Sequence, residues 1–291
     1  MRLRSLLFVP GDRPDRMEKA LGSSADALIL DLEDSVTLQA KPAARTAVAS
    51  FLRSAERKAR LFVRINALDS GLVEEDLRAV LDAGLDGLVL PKAEGGISVA
   101  ALAAMAPDRP ILPIATETPA AIFQLDSYAA VRQSLLGLTW GAEDLPAAIG
   151  ATSARNEDGS YTQPYELARS LTLFAGHAAG VAVIETVYPE FRDLEGLRSY
   201  ARRGRRDGFT GMMAIHPSQV PIINDAFTPT EAEIANARAT IAAFEAEPGR
   251  GAFQLDGRMI DAPHLRHARR IVDALRTGGP QQDEQPPREP K

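Results

Sequence analysis

Eight short apolar runs, separated by stretches long enough to hold a helix, constrain this chain more than any other feature. They are 3–9, 27–32, 61–65, 87–90, 111–115, 136–140, 181–184 and 213–215. Most are continuously apolar rather than alternating, the pattern of strands covered on both faces, and such strands belong to parallel sheets. Segments 16–22, 73–83, 97–105, 119–134 and 165–179 have helix-compatible composition, with Gly84 and Gly180 placed as C-terminal stops. The rhythm predicts an α/β chain whose eight β/α units close into a (β/α)8 TIM barrel, although an open doubly wound sheet shares the same alternation. The 291 residues fit one such barrel of roughly 250 residues with an extension.

The barrel is expected over residues 1–228, followed by a C-terminal helical and hairpin arm over 229–276. Thr230 and Glu233 form a capping-box pair, and Ile234, Ala237, Ile241 and Phe244 share one face of the helix they open. Gly249 and Gly251 break that helix. Asp256-Gly257 then marks a hairpin within 252–260, and Pro263 starts a last helix. Residues 277–291 are Gly, Pro, Gln and charge, the composition of a disordered tail.

Composition excludes several functions. Lys and Arg number 33 against 39 Asp and Glu, a net charge of −6, so no broad nucleic-acid surface is expected. Cysteine is absent, which removes disulfides, a thiol nucleophile and thiolate metal sites, and fits a cytoplasmic location. The N-terminal apolar run 6–9 is followed at once by Asp12, Arg13, Asp15 and Arg16, so neither a signal peptide nor a membrane span is expected.

In a parallel barrel the reactive groups gather at the carboxyl ends of the strands. Polar residues recur there: Asp31, Glu33 and Asp34 after the second run, Arg64 and Asn66 after the third, Lys92 after the fourth, Glu117 after the fifth, Asp144 after the sixth and His216 after the eighth. Glu117 and Asp144 would leave neighbouring strands about 4.8 Å apart. Two carboxylates within about 5 Å repel by roughly 3 kcal/mol at an effective dielectric near 20, which favours a shared proton or an intervening cation such as Mg²⁺. The plainer reading makes each a helix-start acid, since Pro119 and Pro146 follow closely. Arg64 can grip a carboxylate through two parallel hydrogen bonds or form an ion pair with Asp31 or Glu33. Lys92 can form a Schiff base with a carbonyl substrate or pair with Glu33 or Asp34. His216 reads as a hydrogen-bonded strand-end residue, and the His264/His267 pair lacks an acidic third ligand.

At these positions the chain closely resembles the HpcH/HpaI aldolase and citrate lyase beta-subunit family, which includes malyl-CoA and citramalyl-CoA lyases. The resemblance rests on Phe8-Val9-Pro10-Gly11-Asp12-Arg13-Pro14, Leu30-Asp31-Leu32-Glu33-Asp34, Val63-Arg64-Ile65-Asn66, Leu90-Pro91-Lys92, Thr116-Glu117-Thr118, Gly141-Ala142-Glu143-Asp144-Leu145, Ala214-Ile215-His216-Pro217 and Met259-Ile260-Asp261-Ala262-Pro263, in family order. It implies a Mg²⁺ ion, with Mn²⁺ as the alternative, held by Glu117 and Asp144. It further implies that Arg64 holds the oxo-acid carboxylate and that the loop of Pro10, Gly11 and Arg13 lies near coenzyme A. Asp31 and Lys92 join these as substrate-binding candidates. Arg64, Glu117 and Asp261 are then the catalytic set, with Asp261 reaching into a neighbouring subunit as acid/base, so that a trimer or hexamer is expected. The plainer role of Asp261 is the cap of the last helix. At Met212 many relatives carry Lys or Arg, so a contact of that cation to a phosphate or second carboxylate is expected to be missing.

The implied activity is Mg²⁺-dependent cleavage of a citryl-, malyl- or citramalyl-CoA type 3-hydroxyacyl thioester into an acyl thioester and a 2-oxo acid. Hydrolysis of the thioester on the same site, a lysine-dependent aldolase using Lys92, and a non-catalytic subunit that binds an acyl carrier are the alternatives.

Overall fold

A computed structural model describes residues 3–56, 58–247, 251–255 and 257–276, and the expected tail 277–291 lies outside the described residues. Two compact units are present, residues 3–227 and a C-terminal unit starting at Thr228.

The larger unit holds β1 (Ser5–Pro10), β2 (Ala27–Asp31), β3 (Arg60–Arg64), β4 (Gly87–Leu90), β5 (Ile111–Pro113), β6 (Gly137–Thr139), β7 (Ala182–Glu185) and β8 (Gly211–Ala214). They run parallel in the order β5-β4-β3-β2-β1-β8-β7-β6. The two ends of that order meet: Ile111 bridges Leu135 and Ile114 bridges Thr139, with Leu136 N–H donating to Ile111 O and Ala115 N–H to Thr139 O, each at 2.8 Å. This contact closes the sheet and decides for the barrel over the open alternative.

The continuous apolar runs are explained by two apolar layers. Leu6, Ala27, Ile29, Phe62, Val89, Leu112, Ile184 and Met213 fill the barrel interior. Alternate residues such as Leu7, Leu28, Leu30, Leu61 and Leu88 pack outward with helix residues Met17, Val48 and Leu77. Each strand is thus buried on both sides.

Helices appear near the expected places, at Pro14–Ala20, Val73–Val80, Gly96–Met105 and Gln163–Ala179. Segment 119–134 departs from expectation: a single helical turn, Pro119–Ile122, is followed by a 3-10 run, Leu125–Ser134. The cause is close backbone packing. Gly96 N–H donates to Ser127 Oγ at 2.8 Å, and a Cβ at Gly96 would lie 2.6 Å from Ser127 O. Four more helices lie outside the segments expected above, Lys41–Ser54, Asp144–Ile149, Leu194–Asp207 and Val220–Ala226. The first begins on a buried lysine, Lys41, whose Nζ donates to Leu32 O at 2.7 Å and Glu33 O at 2.9 Å.

The C-terminal unit contains helix Glu231–Ala246 with its Thr230/Glu233 capping box, an antiparallel pair of β9 (Ala252–Leu255) and β10 (Arg258–Asp261), and helix Ala262–Arg276. Gly257, at φ +76°, supplies the left-handed residue of the turn. No helix among the described residues is long and apolar enough to cross a membrane.

Candidate active site

The period of two along the strands puts charge at one end of the barrel. Ala27 and Ile29 face the interior on β2, and the next residue on that face is Asp31; on β3, Phe62 faces inward and Arg64 follows. The register sets Asp31 directly beside Arg64. Arg64 Nε and one terminal nitrogen each donate to an Asp31 carboxylate oxygen at 2.7 Å, and the other terminal nitrogen lies 2.9 Å from Glu33 Oε2. The guanidinium also stacks 4.9 Å over the Phe8 ring. Burial alone would raise the Asp31 pKa, but the Arg64 contacts and hydrogen bonds from Ser35 and Glu33 N–H outweigh it and hold the carboxyl below its ordinary value.

Lys92 follows β4 with a left-handed φ of +50°. That bend lets its N–H donate to Glu117 Oε2 while its ammonium turns to Glu33 Oε1 at 2.6 Å and to Asp144 Oδ1 at 3.6 Å. Burial draws the Lys92 pKa down; the Glu33 hydrogen bond and the charges of Glu33, Glu117 and Asp144 more than reverse this and hold it above the usual lysine value. A Schiff-base lysine needs the opposite, a neutral amine. The pairing with acids is the one expectation for Lys92 that this geometry supports.

Glu117 is 4% exposed. Burial pushes its carboxyl up to about 8, the charges of Asp144 and Glu33 add to that, and the Lys92 N–H and ammonium oppose it. Asp144 opens helix Asp144–Ile149 and is more exposed. The two acids line one cavity of about 340 Å³ together with Pro10, Asp31 and Arg64. Gly141 fixes where Glu117 can lie. Thr116 Oγ1 donates to Gly141 O and accepts from Gly141 N–H, both at 3.1 Å, and a Cβ at position 141 would lie 2.6 Å from Glu117 Cγ.

The donor set fits a hard divalent cation. Two carboxylates share the cavity, one of them buried, and oxygen donors of this kind are what a hard divalent cation takes.

Other candidates lie elsewhere. Pro10 lines the cavity, whereas Gly11 sits under the β2 end, its N–H donating to Asp31 O at 2.8 Å, and Arg13 pairs with Asp15 at the surface at 3.0 Å. Asn66 is bound to Asp76 through both its backbone and side-chain nitrogens, at 2.8 and 2.7 Å. His216 caps the turn that follows it and stacks on Phe191, a structural role as expected. Met212 corrects a sequence expectation: it is fully buried in the layer between strands and helices, and Met213 is the residue facing the interior. A cation at 212 would point away from the cavity, so its absence removes no contact there. Asp261 lies in the C-terminal unit, 47% exposed and 2.6 Å from His264 Nδ1.

Sequence reasoning missed Arg16, Thr186, Val187 and Ile215, which also line the cavity. Arg16 follows Arg13 at helical spacing in the first turns of Pro14–Ala20, a signal that was available. It also missed the fully buried Glu185, which accepts from Trp140 Nε1 at 2.6 Å, Arg169 Nε at 2.8 Å and Tyr200 Oη at 3.0 Å and so braces the end of β6.

The sequence matches the family model of HpcH/HpaI aldolase/citrate lyase over residues 4–217. It is 38% identical over 266 residues to a citrate lyase subunit beta-like protein of Mycobacterium tuberculosis, covering 91% of this chain and 93% of that one. It is 36% identical over 276 residues to a (3S)-malyl-CoA thioesterase of Cereibacter sphaeroides, covering 92% and 93%. Among solved structures, the Mycobacterium tuberculosis protein CitE in complex with magnesium, acetoacetate and coenzyme A superposes with a TM-score of 0.81 at 36% identity, covering 93% of this chain and 97% of that one. A citrate lyase beta subunit from the same organism, complexed with oxaloacetate and magnesium, gives a TM-score of 0.70 at 37% identity over 77% of this chain and 96% of the other.

Proposed function

This chain belongs to the HpcH/HpaI aldolase/citrate lyase family, and from that membership we propose a Mg²⁺-dependent carbon–carbon lyase acting on a 3-hydroxyacyl thioester whose hydroxyl-bearing carbon also carries a carboxylate. Malyl-, citramalyl- and citryl-CoA are substrates of that kind, and the products are an acyl thioester and a 2-oxo acid. The observation that carries the reading is the convergence of Glu117, Asp144 and Arg64 on one cavity. Relatives crystallised with magnesium, acetoacetate and coenzyme A, and with magnesium and oxaloacetate, support the choice of ion and substrate class.

Glu117 and Asp144 would hold the ion, which when bound supplies Lewis-acid stabilisation to the substrate hydroxyl and carboxylate. Arg64 binds the carboxylate of the departing oxo acid. A guanidinium carries five N–H donors; Asp31 takes two and Glu33 faces a third, so two stay available on a group whose plane Asp31 fixes. Lys92 keeps Glu33 and Asp144 from repelling the anionic substrate. Asp261 of a second copy returns a proton to the α-carbon of the departing thioester, and in the reverse direction removes it. A homo-oligomer follows from that borrowed acid, and the family resemblance suggests a trimer or hexamer.

The test is a Mg²⁺-supplemented assay of the purified protein with malyl-, citramalyl- and citryl-CoA, read for both oxo acid and free thiol. Oxo acid formation that EDTA abolishes and that Glu117→Ala and Asp144→Ala lose is the expected result; unchanged Mg²⁺-dependent cleavage in those variants would sink the site. A relative named (3S)-malyl-CoA thioesterase favours a second reading, hydrolysis of the same thioester, for which free thiol would appear without release of a 2-oxo acid.

A further inference from the structure

Asp261 has a partner that the proposed proton transfer does not yet use. Its Oδ1 lies 2.6 Å from Nδ1 of His264, three residues on in the first turn of helix Ala262–Arg276. The same Nδ1 lies 3.3 Å from the backbone nitrogen of Asp261. The two contacts require opposite states of one atom. Nδ1 must carry a hydrogen to donate to the carboxylate, and must be bare to accept the backbone N–H. The shorter contact belongs to the protonated Nδ1, and in that state the imidazole occupies Oδ1 and leaves Oδ2 free.

We propose that His264 is the positioning residue of Asp261: by donating from Nδ1 to Oδ1 it fixes the carboxylate rotamer and reserves Oδ2 as the oxygen that exchanges a proton with the thioester α-carbon. The proposal rests on the reading of Asp261 as the acid/base. In the condensation direction the α C–H bond breaks, its electron pair passes to the thioester enolate, and the proton forms an O–H bond at Oδ2. In cleavage the Oδ2–H proton returns to carbon. The Nδ1 hydrogen stays on the ring throughout this α-carbon exchange. A bare Nδ1 would instead be captured by the Asp261 backbone N–H and release the carboxylate.

The pair is suited to this task by its exposure. Asp261 is 47% and His264 56% exposed, so both remain open to a substrate held by another molecule. Along β10, Ile260 is 7% exposed, which places Asp261 on the opposite, uncovered face. Glu233 of the preceding helix, Arg258 of β10 and His267 of its own helix are the charged and titratable groups that line a hollow of the C-terminal unit together with His264.

The experiment compares the wild-type protein with His264→Ala, His264→Asn, Asp261→Asn and the Asp261→Asn/His264→Ala double variant. The readouts are cleavage of whichever thioester of the panel the wild type accepts, deuterium uptake into the acetyl-CoA methyl group in D₂O with Mg²⁺, and oligomer mass. His264→Ala should lower kcat and the exchange rate about tenfold at unchanged KM and unchanged mass. His264→Asn places an amide N–H where Nδ1–H was and should recover most of the rate. In the Asp261→Asn background His264→Ala should change nothing further. A His264→Ala protein with wild-type exchange, beside an inactive Asp261→Asn, overturns the dyad and leaves the lyase reading intact. An active Asp261→Asn overturns the acid/base assignment and the dyad with it. Additive losses in the double variant, or an altered mass in His264→Ala, assign His264 a structural role and refute the proposal.

Discussion

A methyl group at position 141 is the smallest change expected to disable the proposed metal site. In Gly141→Ala the new Cβ would lie 2.6 Å from Glu117 Cγ, 3.1 Å from Ile114 Cγ2 and 3.2 Å from Glu117 Oε1. Carbon pairs rest at about 3.5–4.0 Å, so roughly 1 Å must be given up. The backbone of residue 141 has little freedom to yield, being tied to Thr116 on both sides. Glu117 therefore moves. Overpacking of this kind costs about 1–3 kcal/mol, which for a domain of this size lowers Tm by about 2–10 °C. The functional loss should be larger: a displacement of about 1 Å in a reacting group can cost about 100-fold in rate. Titration calorimetry with Mg²⁺, steady-state cleavage and thermal melts separate the two effects. A double-mutant cycle with Glu117→Ala isolates the cause, because Gly141→Ala should add nothing to Mg²⁺ affinity once the carboxylate is gone. A folded Gly141→Ala protein with wild-type Mg²⁺ affinity and kcat would refute the argument that this glycine places a metal-binding glutamate.

Three further outcomes follow from the same geometry. Because Glu117 is held protonated to about pH 8 without metal, Mg²⁺ binding must displace its proton below that pH; affinity should rise up to tenfold per pH unit and level above about 8, with proton release measurable by calorimetry in buffers of different ionisation enthalpy. The linked stability has a definite sign: a raised acid stabilises the metal-free fold fully below the ordinary Glu pKa of about 4.5, and this is lost as pH rises through about 8, so saturating Mg²⁺ should raise Tm more at pH 9 than at pH 6. Arg64→Met strands Asp31 without its cation, while Lys92 still pairs Glu33, and should cost about 3–5 kcal/mol, against a smaller loss in the Asp31→Asn/Arg64→Met double variant, as read by denaturant melts. Borohydride with substrate should label no lysine, since the Lys92 ammonium stays charged between Glu33 and Asp144; mass-spectrometric detection of an adduct on Lys92 would contradict that pairing.

Much of the site was legible because apolar runs end in polar residues. Asp31 stands at the end of the second run and Arg64 at the end of the third, so the sequence alone marks both as mouth residues. The capping box at Thr230 and Glu233 and the hairpin turn at Gly257 were legible for a similar reason, since each is completed within a few residues. Arg13 pairs with Asp15, whereas Arg16, one helical turn on, lines the cavity, a difference for which a basic residue in a strand-end loop has no local mark.

What the chain's own order of residues determined, then, is the set of buried faces and the list of charged residues at their ends, because both depend on neighbours two to four positions away. Tertiary structure alone decided which of those charges meet. Closure between β5 and β6, the register that sets Asp31 beside Arg64, and the left-handed bend at Lys92 each join residues 24 or more positions apart. The physical reason is common to all: a side chain's direction is encoded locally by backbone periodicity, but the identity of the group it faces depends on long-range packing of the whole barrel or arm, for which no short stretch of sequence carries a signal.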